Sequence, residues 1–282
     1  MTNNNYDSLQ YVFACMSIHS LWVKIIKNDI SQVSEYFNLS TNDLLILTDF
    51  LNHHSQQILA SAVLLEEKRW REVLSSIKYS SILATPRKLK PHWKNYLETY
   101  GFKDNIPASP ILESIAFLKY LLHKKFNDLY QSVFEYELFR NMTLAYEFEP
   151  TDATENINNN IVKENPESYQ VIINPSFISK NFKCSISKII KDFQKNLSAE
   201  KIRLSTNELV GFYKHKSTGM VKTIQLTEAS HSAILKLSSA TNVSTWVKNM
   251  LDTEKMKPAS CFNFLEQLHL SGTISLIQIN RC

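Results

Sequence analysis

Apolar residues recur at helical spacing through the first half of the chain and mix helical with alternating spacing in the second, so a mainly α fold with an α+β second half is predicted. Ser8 is placed to cap a helix whose stripe is Leu9, Val12, Phe13 and Met16, continued by Leu21, Trp22 and Ile25. Ser40-Thr41-Asn42-Asp43 has the form of a capping box, because a hydroxyl and a carboxylate three residues apart can satisfy each other's free amide donors. The helix it opens carries Leu44, Leu47, Leu51, His54, Ile58 and Leu65 on one face. EEKRWREVLSS follows as a charged helix, with Trp70 and Leu74 one turn apart. Pro86 and Pro91 predict a loop, and HWKNYLETYGF predicts a short helix ending near Gly101.

After Pro107 and Pro110 a further helical pattern begins, with Ile111, Ile115, Leu118 and Leu122 aligned. Phe126, Leu129, Val133, Tyr136 and Phe139 or Arg140 carry it on. The aromatic run FNDLYQSVFEYELFRNMTLAYEF fits either a filled core or a partner-docking surface, since Phe and Tyr supply much of the energy in both. EPTDATENINNNIVKENPES is poor in apolar residues and cannot offset its own chain entropy, which predicts a linker. The predicted division is a helical N-terminal domain over 1–149, a linker over 150–168 and a second domain over 169–282.

The second domain opens on YQVIINP, a strand stopped by Pro175, whose missing amide cannot join a ladder. A short extended piece and a helix with Ile186, Ile189, Ile190 and Phe193 inward come next. After Ser205-Thr206-Asn207, Leu209 to His215 and Met220 to Leu226 are strands joined by Lys216-Ser217-Thr218-Gly219, a hairpin connection ending in glycine. Thr227 caps a helix with Ala229, Ala233, Ile234 and Leu237 on one face. A second helix carries Trp246, Val247, Met250 and Leu251. A third starts at Pro258, carries Phe262, Leu265 and Leu268, and stops at Ser271-Gly272 before the strand TISLIQI. Strand, turn, strand, three helices and strand is the outline of a winged helix-turn-helix.

Composition narrows the chemistry. With 282 residues the chain can hold two domains, and 44% hydrophobic and 11% aromatic residues place it among folded proteins. Only 4 glycines argues against glycine-dependent phosphate loops. The net charge of +4 is too small to point to nucleic acid by itself. Positive charge does gather locally, at Lys180, Lys183, Lys188, Lys191, Lys195, Lys201 and Arg203. Such a run fits a solvated helix face or an acidic ligand. The 4 cysteines form no CxxC or Cys/His cluster, no apolar leader follows Met1, and no run has the roughly 20 apolar residues of a membrane span. A soluble, cytoplasmic protein is expected.

His53 and His54, with Glu66 and Glu67 nearby, suggest a metal site, yet adjacent residues on a helix point about 100° apart and cannot easily face one ion. A structural histidine is the simpler expectation. Glu113, Glu135, Glu137 and Glu147 are too scattered for an acid and base pair. No Ser/His/Asp or Cys/His arrangement is apparent.

Two uses of the C-terminal module remain. For duplex DNA its third helix should offer cations to base edges, but its polar residues are Ser260, Asn263, Glu266, Gln267 and His269, with no Arg or Lys after Lys257. For a peptide the useful feature is a sheet edge beside an apolar groove, which MVKTIQL beside FNFLEQL can supply.

The run TGMVKTIQLTEASHSAILKLSSATNVSTWVKNMLD, followed by CFNFLEQLHLSGTISL, resembles the PqqD-like recognition elements of pathways that make ribosomal, post-translationally modified peptides. The whole chain is similar to partner subunits of multinuclear non-haem iron oxidative enzymes, such as the one used in methanobactin biosynthesis. The resemblance implies a non-catalytic subunit that forms a heterodimer with the iron enzyme and holds no cofactor of its own. It further implies that the leader of a precursor peptide binds as an added strand, with the chemistry, at precursor cysteines, in the partner. The implied leader site is the strand Met220, Val221, Lys222, Thr223, Ile224 and Gln225, with Phe262, Leu265, Glu266 and His269 on the facing helix. TISLIQI is an addition that could cover the groove. The alternative from another class is a winged-helix transcriptional regulator with a helical sensing domain.

Overall fold

The computed structural model describes residues 5–18, 20–100, 109–148, 159–195, 207–237 and 240–279. The chain is mainly helical, with two small antiparallel three-stranded sheets in its C-terminal half. It divides into two compact units, Met1–Phe117 and Leu118–Cys282.

The first unit contains α1 (Asn5–Ile18), α2 (Ser20–Asn28), α3 (Ile30–Phe37), α4 (Thr41–Ser76), α5 (Lys78–Tyr100) and the start of α6 (Pro110–Leu122). The expected capping box opens α4: the Asp43 amide donates to Ser40 Oγ at 3.2 Å and the Ser40 amide to Asp43 Oδ2 at 3.0 Å. Val12, Met16, Trp22, Ile26, Leu47, Leu51 and Ala62 build the core between α1, α2 and α4. Beyond it an aromatic group forms, with the Trp93 ring 5.4 Å from both Trp70 and Phe117.

Three local expectations change. Helix α1 starts at Asn5, so Ser8 lies inside it. EEKRWREVLSS is the end of α4, not a separate helix, because no breaker interrupts 41–76 and Trp70 and Val73 are buried. Pro86 and Pro91 lie within α5: two helical pieces meet at Thr85 (φ 58°, ψ 145°), and Pro86 opens the second, where a missing amide hydrogen costs nothing. The stop near Gly101 and the start at Pro107 lie outside the described residues.

The second unit contains α7 (Asp128–Ala145), α8 (Asn159–Glu164), a 3-10 turn (Pro166–Ser168), β1 (Tyr169–Ile173), β2 (Ile178–Phe182) and α9 (Ile186–Gln194). Then come β3 (Glu208–Lys214), β4 (Val221–Leu226), α10 (Glu228–Leu235), β5 (Thr241–Asn242), α11 (Val243–Glu254), α12 (Pro258–Ser271) and β6 (Ile274–Gln278). One sheet has the order β5-β1-β6 and the other β2-β3-β4.

The sheet β2-β3-β4 is covered on both faces, which explains why β3 reads as a nearly continuous apolar run. Register places Lys180, Phe182, Glu208, Val210 and Phe212 on one face. There the Tyr136 ring of α7 lies 5.3 Å from Phe212, and Lys180 pairs with Glu135 at 3.0 Å. The buried Glu208 carboxylate accepts the Ser187 amide at 2.8 Å and so caps α9. The opposite face presents Leu209, Gly211, Tyr213, Ile224 and Leu226. Leu226 enters a core with Ala233, Ile234, Val243, Trp246, Met250, Cys261, Leu265 and Leu268 of the three helices, and Leu209 and Ile224 pack on it. At Gly211 a Cβ would meet the Phe177 ring at 2.7 Å, so this close approach requires glycine.

Along the chain the compact units meet at Phe117 and Leu118. The aromatic helix α7 belongs with the second unit, because Tyr136 and Phe139 lie against Phe212 of its sheet; of the aromatic run Phe134 and Tyr136 are buried, and Tyr146 is exposed. Within the expected linker, α8 buries Val162 in the helical core, so one apolar side chain anchors an otherwise polar stretch. Residues 150–158 of that linker lie outside the described ones, as do Ser205, Thr206, Lys201 and Arg203. Among the described residues no helix is long and apolar enough to cross a membrane.

Candidate functional site

The hairpin sets the geometry of β4. The His215 amide donates to the Met220 carbonyl at 2.9 Å, and the Gly219 amide to the His215 carbonyl at 2.8 Å, with Gly219 at φ 65° as the predicted turn requires. His215 and Met220 are therefore a hydrogen-bonded pair, and the register steps outward by two: Tyr213 with Lys222, Gly211 with Ile224, Leu209 with Leu226. It follows that Lys222, Ile224 and Leu226 spend their main-chain groups on β3. Val221, Thr223 and Gln225 direct theirs to the other side.

That other side carries no strand among the described residues, because β4 ends the order β2-β3-β4. The terminal strand β6, expected to be able to cover the groove, pairs instead with β1, from Tyr169 opposite Gln278 to Ile173 opposite Ile274. The edge is six residues long, without proline, and its register is unbroken. Natural sheets usually blunt such an edge with proline, bulges or several charges; here Lys222 is the one charge.

The predicted site residues separate into three groups. Met220, Lys222, Thr223 and Gln225 are exposed, and Val221 and Ile224 are half-buried. On α12, Phe262 is half-buried against the same core as Ile224, whereas Leu265 is buried and supports the site from beneath without being open to a ligand. Glu266 pairs with Lys163 of α8 at 3.6 Å. His269 is half-buried, and its Nδ1 is buried without a hydrogen-bond partner. Toward solvent α12 presents Ser260, Asn263, Gln267 and Leu270, with Lys257 at its start, so the helix offers no cation along its length.

Four of the described lysines of the basic segment form a solvated face. Lys183, Lys188, Lys191 and Lys195 are exposed on or beside α9, while Ile186, Ile189, Ile190 and Phe193 point inward as predicted. The His53 and His54 rings are engaged separately, His53 Nδ1 with the Asp49 carbonyl at 2.8 Å and His54 Nδ1 with Gln57 Oε1 at 2.9 Å. Glu66 receives Ser20 and Glu67 receives Lys90. Among the described residues no three His, Cys, Asp or Glu side chains converge as a metal site.

Two features escaped sequence reasoning. Ser179 of β2 and His231 of α10, distant in sequence, meet at 2.8 Å beside a cavity of about 510 Å³ that Asn181, Glu228 and Lys236 also line. Near it Lys236 and then Ser232 hold the Glu254 carboxyl below its ordinary pKa by hydrogen bonding. The second feature is a cavity between α1 and α4, at which His54 sits. The only sequence trace of it is the interruption of the α4 stripe by a histidine.

Neither models of known protein families nor curated proteins match this chain.

Proposed function

We propose that this protein captures an extended peptide as an added strand on β4, acting as the leader-binding partner subunit of a multinuclear non-haem iron oxidative enzyme. The observation that carries the reading is the β4 edge, which no strand among the described residues covers and where Val221, Thr223 and Gln225 turn their amides and carbonyls away from β3. Main-chain bonding of this kind gives affinity with little sequence demand, and specificity comes from pockets for alternate side chains. The half-buried Ile224 and Phe262, both packed on the helical core, provide apolar surface for those side chains. The winged-helix description rests on the order β3, β4, then α10, α11 and α12, then β6, with the two-residue β5 between α10 and α11. The iron-enzyme partnership rests on the resemblance alone. In this reading the chain supplies no catalytic residue and no cofactor, and the iron resides in the partner.

The regulator reading is less well supported. Duplex binding draws its affinity from cations against phosphates, and α12 turns Ser260, Asn263, Gln267 and Leu270 outward with no Arg or Lys within it.

The test is a selection of displayed dodecapeptides on the full-length protein, followed by fluorescence polarisation of the enriched peptides. Recovery of peptides that Thr223→Pro no longer binds supports strand addition. Failure to enrich any peptide, together with salt-sensitive duplex DNA binding, would overturn it.

A further inference from the structure

The first unit holds a cavity of about 580 Å³ between α1 and α4, within the size range of small-molecule pockets. Most of its surface is apolar, supplied by Phe13 and Met16 from α1 and Phe50 and Ile58 from α4. The Phe13 and Phe50 rings meet edge to face, with centroids 4.8 Å apart, and the Phe50 ring lies 5.2 Å from the His54 ring. A third aromatic ring can join such a group through the same edge-to-face attraction. Beneath these rings Val12, Leu47, Leu51 and Ala62 are buried and close the core.

The polar lining of this cavity is Ser17, whose hydroxyl donates to the Ala14 carbonyl, Ser61, and the hydrogen-bonded pair His54 and Gln57. In the tautomer that donates Nδ1–H to Gln57 Oε1 at 2.9 Å, His54 Nε2 is an acceptor. His54 lines the cavity and is exposed. The arrangement matches a molecule with an aromatic body and one hydroxyl. It also gives His54 a use in a stripe that is otherwise apolar.

We propose that this cavity binds a small phenol, with the ring against Phe13 and Phe50 and the hydroxyl donating to His54 Nε2. The proposal lies wholly in the first unit and is independent of the β4 edge.

Isothermal titration of the full-length protein with 4-propylphenol and with propylbenzene tests it. The expected result is saturable one-to-one binding of 4-propylphenol. Ser61→Phe on α4 and Ser17→Phe on α1 each place a ring in the cavity and should weaken binding about tenfold or more, equivalent to losing about 1.4 kcal/mol. His54→Leu should weaken 4-propylphenol about fivefold, as expected for one neutral hydrogen bond, and leave propylbenzene unchanged. Circular-dichroism melting confirms that each variant is folded, and the two filling variants act from opposite walls, so failure of one to fold leaves the other decisive. The proposal is overturned by three outcomes: no saturable phenol binding, wild-type binding in a folded filling variant, or equal loss of both probes in His54→Leu.

Discussion

Replacing Thr223 with proline separates the two sides of β4. Thr223 is central among the three residues whose main-chain groups face away from β3. Proline there removes one outward amide, inserts a ring at the edge and leaves every β3 bond intact; it also keeps the preceding Lys222 in an extended conformation. Stability should therefore change by less than about 1 kcal/mol, the tolerance expected at an edge strand. Binding should suffer more. Loss of one main-chain hydrogen bond, with its acceptor on the peptide left unsatisfied, costs about 2 kcal/mol, or roughly thirtyfold in Kd. Ile224→Pro is the control: it removes an amide used on Gly211 and should destabilise the fold by about 3 kcal/mol or more. Fluorescence polarisation gives the binding and thermal melting the stability. Peptide affinity unchanged in a folded Thr223→Pro protein would refute strand addition at β4.

Three further outcomes are expected. Glu113→Ala removes a buried carboxylate that holds the half-buried Arg69 and should cost about 2 kcal/mol, read as a lower denaturant midpoint. Gly211→Ala forces a methyl group against the Phe177 ring and Ile224, and should lower stability by about 1–3 kcal/mol in the same assay. Burial pushes the Cys184 thiol pKa up, so the folded state holds its proton longer than the unfolded state; stability should fall as pH rises above about 8.5, and Cys184→Ala should flatten that decline in pH-dependent denaturation.

Much of the local structure was legible because its causes are local. Ser40 and Asp43, Thr227, Pro258, Gly219 and Gly272 mark starts and stops through hydrogen bonds or dihedral preferences spanning a few residues. The inward face of α9 followed from spacing alone. Where reading failed, a distant partner decided. The prolines of α5 suggested a loop, yet a kink at Thr85 let the helix resume. Val162 looked like part of a linker until the helical core received it.

The candidate site divides in the same way. The residues of β4 and their alternation were determined by sequence, since period and turn chemistry locate a hairpin without knowledge of its neighbours. Whether a described strand covers its edge was not, because that depends on which strand β6 chose, and β6 pairs with β1 rather than β4. The burial of Leu265, the meeting of Ser179 with His231 and the cavity beside His54 also depend on elements far apart in the chain. Sequence by itself determined the elements, their caps and their apolar faces; tertiary structure decided which edges and cavities stay open, because pairing and packing are choices made between segments and not within them.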